Sequence, residues 1–435
     1  MLLQEAQTDW LASKNIFYNI RTNLISDNIN DLIDLNHIDF HPEGLRNYLD
    51  YGYSVFGQTP LNEIRFLPPN TKIKINKNHL LEIETLPDPF ETVLGNHSTP
   101  ADVEEYFHAM INKWVGESEK KVIVPTSGGF DSRFIDCMID NKERVRAYTY
   151  GISKKQDESM EAVYAKKLCE ILGISWKQVE LGDYNLLMDE WYKVYGISTH
   201  AHGMYQMEFY NEIDKIESAP CRIVSGIYGD LWAGNWKFPE ISHSRELIDL
   251  AITHNMNSDS YYCKLKGNHE LRDSFFEDNR ERLRDDNWRV IAAARTKIIL
   301  ISFALRIPEY YGFEAWSPFL DFEGVSKIVN LDWREKERRK WQVEYFRKNN
   351  VLIGDLKLPC DYTNCLNQTA CLRYVPEPLD ARLLGLLLEE KYIEKINANL
   401  SDMNQDKIKY YCAYLTLYPL QKLLHLREYG EKYEN

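Results

Sequence analysis

The sequence has no apolar run long enough to cross a lipid bilayer and no excess of basic residues. A membrane-spanning helix needs roughly 18 consecutive apolar residues, and the N-terminus, MLLQEAQTDW, lacks the basic-then-apolar layout of a signal peptide. Lys and Arg number 52 against 66 Asp and Glu, a formal net charge of −14. These features predict a cytoplasmic protein with no membrane partner. Nucleic acid is an unfavourable partner, because general nucleic-acid binding depends on basic surfaces.

Cysteine is also sparse. The eight cysteines are scattered, and the segment 1–90 contains none. Cys360, Cys365 and Cys371 form a loose cluster whose spacing matches no common zinc pattern. We therefore expect reduced thiols rather than disulfides or a zinc site. The 435 residues leave room for two or three domains, and a hydrophobic content of 44% is enough to build their cores.

The stretch Val122–Ser132, VIVPTSGGFDS, is the main chemical signal in the sequence. Its apolar start predicts a buried strand, and a helical pattern follows the glycines. Glycines let the backbone approach an anion, and the free N–H groups and dipole of a helix start favour negative charge. The hydroxyls of Ser127 and Ser132 add hydrogen-bond donors. The Gly-Lys-Ser/Thr of a Walker loop is absent.

Asp131 does not suit a bare phosphate site, because a carboxylate repels phosphate. Its presence indicates a divalent cation between the carboxylate and the phosphates. The alternative interpretation is an ordinary tight turn followed by a helix that Asp131 caps.

A second apolar run that ends in glycines and a carboxylate is RIVSGIYGD, Arg222–Asp230. Strand patterns at 145–151 and 176–181 alternate with helical patterns at 101–115 and 157–172, which predicts a doubly wound parallel α/β sheet. Ligands of such sheets bind beyond the carboxyl ends of the strands. Asp131 and Asp230 would meet there and suit Mg²⁺, although an ordinary glycine turn also explains the second loop.

SGGFDS resembles the SGGxDS loop of enzymes that split ATP into AMP and pyrophosphate. Together with SGIYGD and EAWSPFLD, it makes residues 36 to 350 similar to the asparagine synthetase family. The resemblance implies an adenine-nucleotide α-hydrolase-like fold, with ATP and Mg²⁺ as cofactors. The residues it implies are Ser127, Gly128, Gly129, Asp131, Ser132, Tyr150, Gly151, Ser225 and Gly226 for ATP and pyrophosphate, Asp131 and Asp230 for the metal, and Glu314 and Lys357 for catalysis.

The same resemblance implies individual roles. Tyr150 and Gly151 would cradle the adenine, Glu314 would orient the incoming amine or take its proton, and Lys357 would neutralise the pyrophosphate. A surface Glu at a helix end is the alternative for Glu314. The chain departs from the family pattern at Leu231, where the family has Glu, and at Trp316, where it has Arg.

Two further segments bear on this prediction. The loop 198–203 lies where the family contacts its acyl substrate, so His200 and His202 are candidate ligands or bases, or neither. The charge run Glu335–Lys340 has the composition of a solvated helix face.

The segment HPEGLRNYLDYGYSVFGQTPLNEIRFLPPNTKIKI resembles the last part of the family's glutaminase domain. The family places a nucleophilic cysteine directly after the initiator Met, whereas Leu2 follows Met1 in this chain. We therefore predict a truncated, β-containing glutaminase-like domain over 1–90, an ATP-pyrophosphatase α/β core over 100–240 and a helical part over 241–435.

The resemblance predicts amide-bond synthesis through an acyl-adenylate, from a small carboxylate and either ammonia or a substrate amine. A separate glutaminase chain is a candidate partner, and a homodimer is left open. The alternatives are a specialised amide ligase or cyclase of a natural-product or surface-sugar pathway, a tRNA-modifying enzyme with the same loop, and a catalytically inactive nucleotide-binding or scaffold protein.

Overall fold

The computed structural model describes residues 2–217, 220–251 and 253–433, the last five of these by their backbone alone. The strands are β1 Leu2–Leu3, β2 Glu5–Gln7, β3 Phe17–Asn19, β4 Leu24–Ser26, β5 Ile64–Phe66, β6 Thr71–Ile75, β7 Leu81–Thr85, β8 Val122–Pro125, β9 Val145–Thr149, β10 Ser175–Gln178, β11 Arg222–Val224 and β12 Glu314–Trp316.

The helices surround the central strands and dominate the second half of the chain. They are α1 Pro42–Tyr51, α2 Phe90–Val93, α3 Pro100–Gly116, α4 Phe130–Met138, α5 Met160–Leu172, α6 Met188–Tyr195, α7 Met204–Glu217, α8 Gly229–Trp232, α9 Glu270–Asn279, α10 Asp286–Ile301, α11 Phe303–Tyr310, α12 Phe322–Val329, α13 Trp333–Lys336, α14 Lys340–Lys348, α15 Leu366–Arg373, α16 Ala381–Leu384, α17 Glu390–Asn397 and α18 Ile408–Tyr433.

A parallel sheet in the order β10-β9-β8-β11-β12 forms the centre of the molecule. Alternate residues of its middle strand enter opposite cores: Ile123 packs in one, and Val122 and Val124 pack in the other. All three side chains are fully buried. The sheet is therefore covered on both faces, which explains why its strands read as short continuous apolar runs. The predicted doubly wound α/β sheet is confirmed.

The strand order reverses beside β8. The chain proceeds from β8 through β9 to β10 on one side, and then crosses to β11 and β12 on the other. The loops that follow β8 and β11 flank this reversal, which is the position where doubly wound sheets bind ligands.

The first part of the chain forms two antiparallel sheets, with the strand orders β1-β4-β3-β5 and β2-β6-β7. This part is fastened to the rest of the molecule. Arg295 on α10 donates two hydrogen bonds to the Asp88 carboxylate, at 2.5 and 3.0 Å. The Tyr48 hydroxyl on α1 donates to the carbonyl oxygen of Thr416 on α18, at 2.9 Å.

Helices make up almost all of the second half, as the sequence pattern predicts, with β12 as its strand among the described residues. The apolar pattern over 295–305 belongs to two helices, because α10 ends at Ile301 and α11 starts at Phe303. No helix in the described ranges is both long and apolar enough to cross a membrane. All eight cysteines carry free thiols.

Candidate functional site

The loop between β8 and α4 folds around its own hydroxyl groups. The Ser127 N–H donates to Ser132 Oγ at 3.2 Å, and the Gly129 N–H donates to Ser127 Oγ at 3.3 Å. Gly129 is the N-cap of α4, and none of the described side chains caps the first turn of that helix. The N–H groups of this turn are therefore directed towards the space above the sheet, in the arrangement that binds anions.

Gly128 is the residue that makes this turn possible. Its φ is +68°, in the left-handed region that L side chains rarely adopt. A Cβ atom there would lie 2.6 Å from Cβ of Tyr164 on α5. The Arg133 guanidinium donates to the Gly128 carbonyl oxygen at 2.6 Å and fixes the loop from below.

The loop after β11 brings a second carboxylate to the first. Asp230 lies close enough to Asp131 to raise the pKa of that carboxyl group. Gly229 permits this approach, because a Cβ atom at that position would lie 2.5 Å from Asp131 Cγ. The indole N–H of Trp236 donates to Asp230 Oδ2 at 2.9 Å. Asp131 and Asp230 are thus adjacent, as the sequence pattern predicts.

The pKa of Asp131 is strongly shifted. Burial raises the pKa of Asp131 to about 7; Arg339 lowers it and Asp230 raises it. The Asp131 side chain nevertheless keeps 22% of its surface exposed, on the side that faces the cavities described below. Lys297 on α10 interacts with Asp230, and burial lowers the pKa of this lysine to about 8.

Arg339 joins the site without any signal in the sequence motifs. Its Nη1 donates to Asp131 Oδ1 at 3.1 Å, and 11% of its side chain is exposed. It precedes α14, and both Arg338 and Arg339 have left-handed backbones, with φ of 52° and 57°. The interpretation of Glu335–Lys340 as a solvated helix face is therefore wrong for Arg339 and for Lys336, both of which are buried. The sequence of such a charged run does not show which guanidinium is buried and which is exposed.

Two adjoining cavities share Gly129, Asp131 and Asp230 in their walls. The first, the aromatic cavity, has a volume of about 450 Å³. Its aromatic lining residues are Tyr148, Tyr150, Tyr205, Phe209, Tyr210, Tyr228 and Phe303. Among the described residues that line it, none is Lys, Arg or His.

The second, the cationic cavity, has a volume of about 680 Å³, and Lys237, Arg338 and Arg339 are in its lining. The two acidic side chains that the cavities share thus stand between an aromatic space without basic residues and a space lined by Lys237, Arg338 and Arg339 as well as Glu337. A ligand that spans both spaces would have an apolar end and an anionic end.

Most of the residues that the sequence points to meet at these cavities. Those that line the aromatic cavity are Ser127, Gly129, Asp131, Ser132, Tyr150, Ser225, Gly226 and Asp230. Gly128 lies in the loop after β8 and Gly151 in the loop after β9, and neither lines this cavity. The Tyr150 ring packs edge-on against Phe209 at a centroid distance of 5.2 Å, so it is fixed at the cavity wall.

Glu314 lies elsewhere. It begins β12, where it pairs with Arg222, the first residue of β11, and its carboxylate accepts a hydrogen bond from the Arg222 guanidinium at 2.6 Å. This places Glu314 at the amino ends of the strands, whereas both cavities lie at their carboxyl ends. The structure does not bring Glu314 to the other predicted site residues, because the register of β12 is set by long-range pairing.

Lys357 is also outside the site. It is an exposed residue at the end of a short helical turn and lines neither cavity. Trp316, which replaces the family's Arg, stacks on Trp114 of α3 with ring centroids 5.0 Å apart. Leu231, which replaces the family's Glu, is a core residue with 5% exposure. Neither Leu231 nor Trp316 is part of the lining of either cavity.

The two loop histidines are structural rather than catalytic in their contacts. His200 Nδ1 accepts from the His202 N–H at 3.1 Å, and His202 Nε2 pairs with the Asn367 amide at 3.0 Å. Burial lowers the pKa of both rings, that of His202 to about 4. Neither ring lines the aromatic cavity.

The capacity for a metal ion rests on two carboxylates. In the described ranges no three His, Cys, Asp or Glu side chains are grouped to hold an ion. Asp131 and Asp230 still fit Mg²⁺, which uses one or two protein carboxylates and completes its shell with water and phosphate oxygens. The raised pKa of Asp131 agrees with this, since a nearby divalent cation would stabilise the ionised carboxylates.

Comparisons with known proteins add little to this geometry. No family model matches the chain, and no curated protein does. An NH3-dependent NAD synthetase from Campylobacter jejuni is a structural neighbour at 17% identity and a TM-score of 0.23, covering 32% of this chain and 62% of that one.

A glutamine-dependent NAD+ synthetase from Acinetobacter baumannii, in complex with ADP, is a second structural neighbour. It has 17% identity and a TM-score of 0.25, and the match covers 41% of this chain and 34% of that one. The chain thus spans less than two thirds of either neighbour.

Proposed function

We propose that this protein is an ATP-dependent ligase that forms AMP and pyrophosphate and makes an amide bond through an acyl-adenylate, in the manner of an asparagine synthetase. The observation that carries the proposal is the pairing of Asp131 and Asp230 above the uncapped start of α4, with basic side chains on one side and aromatic ones on the other. This arrangement is explained by nucleotide binding alone, without residues for hydrolysis or redox chemistry.

The proposed binding mode follows the division of charge. The triphosphate lies over the N–H groups of the first turn of α4, and its β- and γ-phosphates enter the cationic cavity near Lys237, Arg338 and Arg339. The adenosine lies in the aromatic cavity, where Tyr150 lines the wall beside the end of β9. Mg²⁺ bound by Asp131 and Asp230 would neutralise charge on the triphosphate.

In the first step, an oxygen of the substrate carboxylate attacks the α-phosphorus of ATP. The bond from the α-phosphorus to the bridging oxygen breaks, and pyrophosphate leaves with that electron pair. Negative charge grows on the leaving group, so Arg339 and the α4 N–H groups stabilise the transition state more than the ground state. Arg339 takes the role expected of Lys357.

In the second step, ammonia or a substrate amine attacks the acyl carbon of the adenylate. The carbon–oxygen bond to AMP breaks, AMP leaves and the nitrogen loses a proton. The described chain offers no nucleophilic cysteine in its segment 2–90 for hydrolysing glutamine. When ammonia is the nucleophile, we propose solution or a separate glutaminase chain as its source.

The test is release of pyrophosphate from ATP and Mg²⁺ in the presence of a panel of carboxylic acids and amines. Asp131→Asn is expected to abolish release, because it removes the charge that pairs with the cation and with Arg339. Asp140→Asn is the matched control, since Asp140 is exposed and pairs with His108 at the surface. No nucleotide binding in the wild-type chain would sink the proposal. Binding without turnover for any acid would favour an inactive nucleotide-binding protein.

A further inference from the structure

The two cavities differ in charge, and this difference constrains the acid that the site activates. The argument rests on the proposed function, because it assumes displacement at the α-phosphorus of ATP. In such a displacement the attacking and leaving oxygens are roughly in line. Pyrophosphate that leaves into the cationic cavity therefore requires the carboxylate to approach from the aromatic cavity.

The body of the acid then shares the aromatic cavity with the adenosine and lies among the side chains that α7 and α11 present. Tyr205 packs against Tyr150 and against Phe303, with ring centroids 5.7 and 6.3 Å apart. Gln206, the amide in this wall, is 3.4 Å from the Tyr150 hydroxyl. These rings offer apolar surface and hydroxyl groups rather than charge.

The charge that the cavity does carry is negative. Its acidic lining residues are Asp131, Asp230 and Glu161. Glu161 accepts a hydrogen bond from the Ser159 hydroxyl. It lies on α5, a different part of the sequence from the loops that carry Asp131 and Asp230. None of the described lining residues is basic, and the buried Lys297 of α10 interacts with Asp230.

We infer that the acyl substrate is a monocarboxylic acid with an aromatic or apolar body, and not a dicarboxylic amino acid such as aspartate. A second carboxylate would be desolvated among rings and beside Glu161 without a cation to pair with, which is strongly unfavourable. An aromatic or branched apolar body instead gains contact with Tyr205, Phe209 and Phe303.

The experiment compares stable acyl-adenylate analogues by calorimetry. The ligands are phenylalanyl-, phenylacetyl- and aspartyl-sulfamoyladenosine, with AMP as the reference for the adenosine part. We expect both aromatic analogues to bind more tightly than AMP, and the aspartyl analogue to bind about 100-fold more weakly than they do. Equal or tighter binding of the aspartyl analogue would overturn the inference and leave the proposed function standing.

A variant pair checks that the cavity wall is responsible. Phe303→Arg supplies a cation, and it is expected to improve the affinity for the aspartyl analogue by about tenfold relative to the phenylacetyl one. Phe303→Leu, the neutral control, should change the two affinities in parallel. A preference unchanged by Phe303→Arg would place the acyl group elsewhere and contradict the inference. Failure of AMP, ATP and all analogues to bind would defeat the proposed function itself.

Discussion

Arg339 reaches the site from a position 208 residues away from its partner Asp131. Its side chain is packed over the Phe130 ring, with the guanidinium carbon 5.3 Å from the ring centroid. The left-handed backbone at Arg338 and Arg339 costs conformational energy at two consecutive non-glycine residues. Packing around α14 must offset this conformational energy. As a result, a cation is held beside the paired carboxylates.

Arg339→Ala tests whether this cation acts on the leaving pyrophosphate. We expect the rate constant of pyrophosphate release to fall by about 10²–10³, with a smaller change in the KM for ATP, because the contact strengthens as charge develops. Steady-state kinetics separate the two effects. Arg347→Ala, an exposed position on α14, the helix that follows Arg339, is the control. An unchanged rate constant in Arg339→Ala would remove this residue from the mechanism.

Individual residues are where the sequence is least informative. The carboxylates Asp131 and Asp230 could be predicted because each directly follows a strand and a glycine turn. Glu314 could not, since its place at the amino end of the sheet depends on the register of β12 against β11. Arg339 could not either, since burial of a guanidinium depends on a contact with Asp131 that no local pattern encodes.

At the scale of elements, the strand–loop–helix unit β8–α4 is a local structure. Its strand is apolar, its turn needs glycine, and its helix starts without a side-chain cap, so a few neighbouring residues specify it. The same holds for α5, which ends where Gly173 adopts a left-handed φ of +69°. The local sequence does not predict that α10 and α11 separate at Ser302, because both helices share one apolar pattern.

Gly128→Ala and Gly173→Ala form a matched pair at this scale. Both glycines have φ near +70°, but an added Cβ meets Tyr164 and Ala165 at Gly128 and meets nothing within 4 Å at Gly173. Each change should cost about 1 kcal/mol of stability through backbone strain. Gly128→Ala should in addition weaken ATP binding by about tenfold or more, since the loop must move. Thermal unfolding and calorimetry measure both, and equal ATP affinities in the two variants would contradict this account.

At the scale of the whole molecule, the N-terminal part is joined to the α/β and helical parts of the chain by specific contacts. Asp88 is 8% exposed and Arg295 is 15% exposed, so their two hydrogen bonds are largely removed from water. Hydrophobic residues from both halves share one core, including Phe17, Leu45, Trp191 and Leu420. The domain boundaries at 90 and 240 stay predictions.

Asp88→Asn should therefore destabilise the whole protein. The loss of charge leaves the largely buried Arg295 guanidinium without its counter-charge, at a cost of about 2–3 kcal/mol. Lys74→Ala is the comparison, because Lys74 and Glu82 form a solvent-exposed pair that contributes little to stability. Denaturant unfolding followed by far-UV circular dichroism measures both. Equal midpoints for the two variants would mean that the N-terminal sheets are not held by this contact.

The bond between Tyr48 and Thr416 joins positions 368 residues apart. A chain that leaves the ribosome from its N-terminus has made α1 long before α18, the helix that completes the surroundings of α1, has been synthesised. The part of α1 that packs against α18 therefore stays exposed until translation is almost finished. We expect this exposed face to increase the demand for chaperones during synthesis.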